Sequence, residues 1–560
     1  MKKPSIKAPA IKRPGLGGLP GGSRTGQSLL AAAAVLGVVF GIAELRPPAD
    51  PSAADSPKGV TSAQVERTSL LCPAPVQGLL GSTALTVFSP AGASGTATGG
   101  SGYVSDVVPP AAAAPAASPS AGGSARPSPS GSPSSSPSAS AKTSAPASAS
   151  ASAAPSAAAP ADARLSLAKA GVPVTGQAAP QEAPGSAAVG TGAYAPGFSV
   201  SQTTTISDPS RIGLYGLDCA PSGTDFWFAG ASTGPGRSDY VGLVNGDSAP
   251  ATVDIRLVGE KGAIETESGV GLNLAPGTSQ TVSLKSLLPA ETADLAVHVV
   301  VRSGRVGAQL NVAEAGKGGD WIAASAAPAA VQVIPGLPGD VKTGRLVVAA
   351  PADDDADLKV QVSGKNGWFT PAGKETIHVK AGMVAALPFE EITKGDVGAI
   401  RLSPTDPEHP TPVVAAARVD RSANGKSDAA WISAAGPIGK RAVLADNRGG
   451  GATTVLLTAT GAAAKVRLTA SAGSGGGTPA TKEVDVPAGT TVAVQGLEPS
   501  GLNGVYGITA ETVSGGPVVA ARMLSLPQKD VPMFTVQAFR NDRSTVTVPH
   551  AQNDPGVLLR

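Results

Sequence analysis

Three similar stretches recur in this chain, in the same order and about one hundred residues apart. VDIRLVG ends at Gly259, LKVQVSG ends at Gly364, and KVRLTAS spans Lys465–Ser471. Each is followed by a glycine at the head of an apolar run: LAPGTSQTVSL around Gly277, VKAGMVAAL around Gly382 and VPAGTTVAV around Gly489, with spacings of 105 and 107. Each copy closes alike, with VGAQLNV before Trp321, VVAAARV before Trp431 and VVAARML before Phe534. A fixed period of this length marks one tertiary unit made several times. Within the copies, runs such as Ala251–Val258, Thr281–Leu284 and Ala296–Val301 are rich in Val, Leu, Ile and Thr and are bounded by Gly, Pro, Asn and Asp. That pattern predicts strands, with each recurrent glycine in a turn. One hundred residues of short strands is the size of an immunoglobulin-like sandwich. The expected fold is therefore all-β, with about three tandem immunoglobulin-like β-sandwich units.

The N-terminus sets an address. Thr25–Ala43 carries no charge, Lys2, Lys3, Lys7, Lys12, Arg13 and Arg24 precede it, and the first acid is Glu44. Its reach as a helix is about 28 Å, close to the hydrocarbon thickness of a bilayer. The basic flank puts the N-terminus in the cytoplasm and the remainder outside. The alternative is a signal peptide cut after Gly41-Ile42-Ala43, giving a secreted protein. The chain has 43 Lys and Arg against 41 acids. Without the six basic residues of the tail the exterior is weakly acidic and, with 3% aromatics, unsuited to nucleic acid.

From Pro109 to Ala163 the chain is almost wholly Ala, Ser, Pro and Gly. Such a composition buries too little apolar surface to offset ordering entropy and predicts disorder. Cys72 and Cys219 are the two cysteines. Outside the membrane they are expected to pair, the other reading being two buried thiols. A Cys72–Cys219 bridge makes the Ala/Ser/Pro tract an excursion from a discontinuous first unit. The expected organisation is a cytoplasmic tail at 1–24, a transmembrane helix at 25–45 and a stalk at 46–61. Strands of the first β-unit follow at 62–107, then a disordered insertion at 108–189. The rest of the first unit is at 190–328, the second at 329–438 and the third at 439–560.

GLYGLDCAPSGTDFWFAG over Gly213–Gly230, then Tyr240–Asn245, Ala275–Thr278 and Cys72-Pro73, resemble a family of actinobacterial secreted or membrane-anchored proteins of unknown function. The resemblance covers most of the chain outside the tract. It implies an extracytoplasmic envelope protein and carries no activity.

Motifs of catalysis do not find their context. Gly230-Ala231-Ser232-Thr233-Gly234 matches the Gly-x-Ser-x-Gly nucleophile elbow, but Pro235-Gly236 and a strand-like run follow where the elbow needs a helix. Ser166–Lys169 with Lys342–Gly344 mimics two penicillin-recognising motifs without their helical subdomain. His298, His378, His409 and His550 lie far apart, with no zinc spacing. Asp353, Asp354, Asp355 and Asp357 fall in an expected hairpin turn and lack calcium-loop spacing. Trp321 and Trp431 recur in phase and read as core plugs, and Trp227 as packing beside the disulfide. Trp368, without a counterpart in the other copies, is the candidate ligand contact.

No catalytic, metal or cofactor residues are expected. The expected function is a non-catalytic, membrane-anchored, extracytoplasmic scaffold or binding module of the cell envelope. Its partners are the membrane, through the N-terminal helix, and a cell-wall polymer or envelope proteins. The alternatives are a carbohydrate- or wall-polymer-binding module, or a secreted hydrolase using Ser232.

Overall fold

Period-two alternation dominates the architecture. The computed structural model describes residues 60–75, 80–92, 99–107, 159–178, 184–208 and 211–549. It is all-β, 58% strand and 2% helix, and the sole α-helix among the described residues is the single turn Leu284–Leu287. Residues 62–546 form one body. A second body, residues 1–61 with 547–560, enters the described part only through the paired strands Val60–Gln64 and Thr545–Pro549. The expected tail, the Thr25–Ala43 span, most of the stalk and residues 108–158 of the tract lie outside the described residues. Among those described, no helix is long and apolar enough to cross a membrane.

The sheets come in four pairs of one topology. In the first unit the strands are Arg67–Cys72, Gly81–Phe88, Gly102–Asp106, Leu165–Ser166, Val174–Ala178, Ser186–Thr191, Ser199–Ile206 and Gly213–Asp218. Numbered one to eight, they make two antiparallel sheets in the orders 1-6-3-4 and 5-2-7-8. Residues 225–322, 332–433 and 441–538 repeat both orders strand for strand, adding short strands after strand three and, in the fourth unit, Ser500–Asn503 between strands five and six, which pairs with Gly476–Thr478 in a small separate sheet. Each sheet pair faces its own apolar core. The third unit, for example, buries Ile334, Leu346, Leu358, Ile400 and Ala417 together.

Two expectations change. The segment expected as one first unit, 62–107 with 190–328, holds four sheets rather than two. The span 108–189 expected as disordered contains the strands Leu165–Ser166, Val174–Ala178 and part of Ser186–Thr191. The physical reason is that the biased composition ends before Leu165, Leu167 and Val174, which pack on the core around Val104, Phe198 and Val200. The tract thus lies between strands three and four of the first unit, where the other units turn back within a few residues.

The turn glycines behave as their spacing predicts. Gly277, Gly382 and Gly489 have φ of 60°, 66° and 71° and lie one or two residues before the fifth strands. Gly171 has φ 83° and precedes the fifth strand of the first unit. It lies 106 residues before Gly277 and is a fourth member of the series. Side chains other than glycine meet a steric cost in this left-handed region.

The four units close on themselves. Their eighth strands, Gly213–Asp218, Gly318–Ile322, Lys426–Ser433 and Phe534–Ala538, touch in a complete cycle, one to two, two to three, three to four and four to one. The first strand of each unit packs on the seventh strand of the next, and that of the fourth packs on the first. Each eighth strand also reaches into the preceding unit. Trp321 packs with Ile206, Tyr215 and Leu217 of the first unit. Trp431 joins the core of the second, and Phe534 that of the third. Leu214 completes the cycle against Leu524, Val531 and Met533 of the fourth. Trp431 and Phe534 plug the neighbouring unit's core rather than their own, and Trp321 fills a smaller cluster on the first unit.

Candidate functional site at the seam of the second and third units

The bridge expected from the cysteine count is present: Cys72 and Cys219 are joined, with Cα atoms 4.8 Å apart, inside the first unit's core. Closing a loop of 147 residues is worth up to about 5 kcal/mol by chain-entropy arithmetic.

Ser232 lies at a seam rather than on an elbow. The chain leaves the strand Asp225–Ala231, turns, and enters the strand Tyr240–Asn245 without a helix. The buried Ser232 hydroxyl donates to the Thr292 carbonyl at 2.9 Å and accepts from the Gly234 N–H at 3.0 Å. The described histidines are engaged elsewhere. His298 stacks on Trp227 with ring centroids 3.9 Å apart and bonds Asp225. His378 bonds Asp357, and His409 bonds Asp406. His550 lies outside the described residues. Ser166 sits in a strand of the first unit. Lys342 pairs with Glu391 in the third, so the two penicillin-like fragments do not meet. The Asp353–Asp355 loop is not the expected hairpin turn: it crosses between sheets, from Thr343–Ala349 in one to Ala356–Gly364, which holds Asp357, in the other, and Asp355 caps the Ala381 N–H at 2.8 Å.

Trp368 is half-buried in the short strand Gly367–Phe369, where the third unit meets the fourth. The Arg401 guanidinium lies 4.5 Å from its ring centroid, and the indole packs beside Val333, Ala399 and Val519. A Cβ on Gly489 would come within 2.8 Å of its Cδ1 atom. The indole therefore serves as a wedge between units.

What sequence reading missed is a charged cleft of about 280 Å³ between the second and third units. Its floor is Trp431, with the Arg237 and Arg418 guanidinium groups over the indole at 5.2 and 5.4 Å. Two ion pairs cross the seam. Arg345 Nε donates to Asp294 at 2.6 Å, and Arg418 Nη1 meets Glu314 at 2.5 Å. Arg418 also binds Asp420 within its own strand, and Arg237 binds Asp239 through Nε and Nη2 in the loop before Tyr240–Asn245. Burial pushes the Asp239 carboxyl up to about 6 against the pull of Arg237. The Asp294 partnership raises Arg345 above its ordinary value. A sequence signal did exist. Arg418-x-Asp420 places opposite charges two apart on one face of a strand, and Arg237-x-Asp239 repeats the spacing in the loop before Tyr240–Asn245.

The family of unknown function DUF5719 matches residues 174–496, more than half of the chain. The chain belongs to DUF5719. No curated protein and no solved structure matches it. The DUF5719 match contains every residue that lines the cleft. It begins at the fifth strand of the first unit and ends just past the fifth strand of the fourth, so the DUF5719 boundaries cut across the cycle of four units.

The cleft's chemistry is that of fixed donors and acceptors in near balance. Its arginines are all paired, which disfavours a free anion. Paired guanidinium and carboxylate groups above an aromatic floor instead suit the hydroxyl groups of a neutral polyol.

Proposed function

We propose that this DUF5719 chain is a non-catalytic scaffold of the cell envelope. In this reading, four immunoglobulin-like sandwiches closed into a ring are held outside the membrane by the Thr25–Ala43 helix. The observation that carries it is the buried Cys72–Cys219 bridge downstream of a basic tail and an uncharged span. Disulfides persist in oxidising compartments, and the charge asymmetry sets the same topology. The interlocked eighth strands support a rigid platform rather than hinged beads, because each seam is filled by a side chain of the next unit.

The test is a surface-labelling and fractionation experiment on cells expressing the full chain. Membrane recovery with a labelled exterior supports the reading. A cytosolic pool with reduced Cys72, or a mature N-terminus at Glu44, refutes the anchor. Capture of a specific envelope protein by the full chain supports scaffolding.

The cleft favours a second reading, binding of a wall polymer through one sugar residue. Purified wall polysaccharide should bind the full chain and lose binding in Arg345→Ala, whose guanidinium is partly exposed at the rim. Equal binding by both proteins would remove this reading.

A further inference from the structure

The axis of the ring holds two buried carboxyl groups that no cation neutralises directly. Asp320 and Asp428 belong to the eighth strands of the second and third units, and both are fully buried. Their surroundings are unequal. Asp320 accepts from the Gly216 N–H of the first unit at 2.9 Å and its neighbour Trp321 N–H at 2.8 Å. It also accepts from the Thr535 hydroxyl of the fourth unit at 2.9 and 2.8 Å. One carboxylate thus ties three units together. Asp428 accepts from the Phe534 N–H of the fourth unit at 2.8 Å through Oδ2, whereas its buried Oδ1 has no partner.

The groups facing Asp428 do not supply that partner as a free charge. Asp320 approaches from the second unit, and Tyr215, with Arg211 beside it, from the first. Arg421, opposite Asp428 on the neighbouring strand, is committed to Asp340 through Nε and Nη2. On the same strand Lys426 is turned to the Lys529 carbonyl and Asp530. Gly318 of the second unit lies so close to Oδ1 that a Cβ there would collide with it. Two buried carboxyl groups that feel one another do not both ionise readily. Burial raises both carboxyls well above the ordinary range; the donors gathered on Asp320 oppose this there, so of the two Asp428 is the one that keeps the proton.

We infer that Asp428 is a proton-operated latch of the ring: neutral, it closes the junction of the third and fourth units at the axis, and its ionisation loosens that junction. The direction agrees with burial, which with the nearby Asp320 raises Asp428 well above the ordinary carboxyl range. Because the folded state holds the proton more tightly than the unfolded chain, the closed ring is favoured at low pH. It weakens as pH rises toward the folded-state value.

The experiment is hydrogen exchange by mass spectrometry on the full chain from about pH 5 to about pH 9, corrected for intrinsic exchange. It follows peptides covering residues 426–433 and 533–538. Protection in the wild type should fall about tenfold or more further across the range than in Asp428→Asn, which is neutral at position 428 and keeps only the pH dependence of Asp218, Asp239 and Asp320. Level wild-type protection, or the same fall in Asp428→Asn, overturns the latch. Should Asp428→Asn not fold, Asp320→Asn serves instead. Removing the neighbouring charge must move the loss of protection to lower pH, and an unmoved transition overturns the proposal equally.

Discussion

Replacing Trp431 with alanine tests the interlocking of the units more sharply than any other single change. Trp431 belongs by sequence to the third unit, yet its ring packs in the core of the second, with Phe228, Leu310 and Ile322. It is 2% exposed. A buried aromatic replaced by alanine costs about 3–5 kcal/mol, and each of two guanidinium contacts adds about 0.5–1 kcal/mol. A loss near 4 kcal/mol corresponds to about a thousandfold in the local opening equilibrium. Hydrogen exchange resolves where the loss falls. In Trp431→Ala the strands Asp225–Ala231, Tyr240–Asn245 and Gly307–Glu314 of the second unit should lose protection. Gln332–Leu337 and Gly398–Pro404 of the third should change far less. Loss confined to the third unit, with the second unchanged, would refute the plug and return the units to independent beads. A loss below about 1 kcal/mol would refute the packing argument itself.

Other expectations follow from single features. Reduction of Cys72–Cys219, or Cys72→Ser, should lower stability by up to about 5 kcal/mol in denaturant titrations, and non-reducing peptide mapping should recover the linked pair. Gly382→Ala forces a side chain into φ 66° and should cost about 1–2 kcal/mol by thermal melting. Gly436→Ala, in open space, should change the melt little. Burial raises Asp239 from 3.8 to about 6, so the folded chain takes up protons there before the unfolded chain does. Its contribution is present below pH 4 and is lost as pH rises to about 6, on the order of 3 kcal/mol. The melting temperature should therefore fall between about pH 4.5 and about pH 6.5, and a rise across that window would contradict the assignment.

The repeat was legible because strand geometry writes itself into local sequence. Alternation marked the third strands, and the left-handed turn marked Gly277, Gly382 and Gly489. The fourth mark, Gly171 in Lys169-Ala170-Gly171-Val172, was equally visible, at 106 residues from Gly277. The Ala/Ser/Pro tract before it and a Ser-x-x-Lys coincidence beside it mask this mark. The cleft was less legible. Its ion pairs join Asp294 to Arg345 and Glu314 to Arg418, residues separated by 51 and 104 positions, and only the packing of the second unit against the third brings them together. The packing of Trp368 is not legible in one dimension, because Gly489, its packing partner, belongs to the next unit. Sequence periodicity reports what each unit needs, and says little about what one unit lends another.

The position of the tract leads to a last prediction. Its two ends emerge from adjacent paired strands, with Tyr103 opposite Ser166 and Val104 opposite Leu165. Beyond them the Arg164 N–H donates to the Val104 carbonyl at 2.8 Å, and Arg164 pairs with Asp106 at 3.2 Å. The connection is therefore a hairpin whose loop has been lengthened without disturbing its base. Loop-closure entropy grows only with the logarithm of length, so replacing residues 108–159 with a four-residue turn should stabilise the chain, by about 2 kcal/mol at most. Denaturant titration of the shortened chain measures this directly. A clear loss of stability would mean that the tract contributes to the fold, and the hairpin account would fail. With the ring intact, capture of envelope partners by the shortened chain then assigns the binding surface: binding retained places it on the four units, and binding lost places it on the tract. The same fold can thus separate a platform from what it projects.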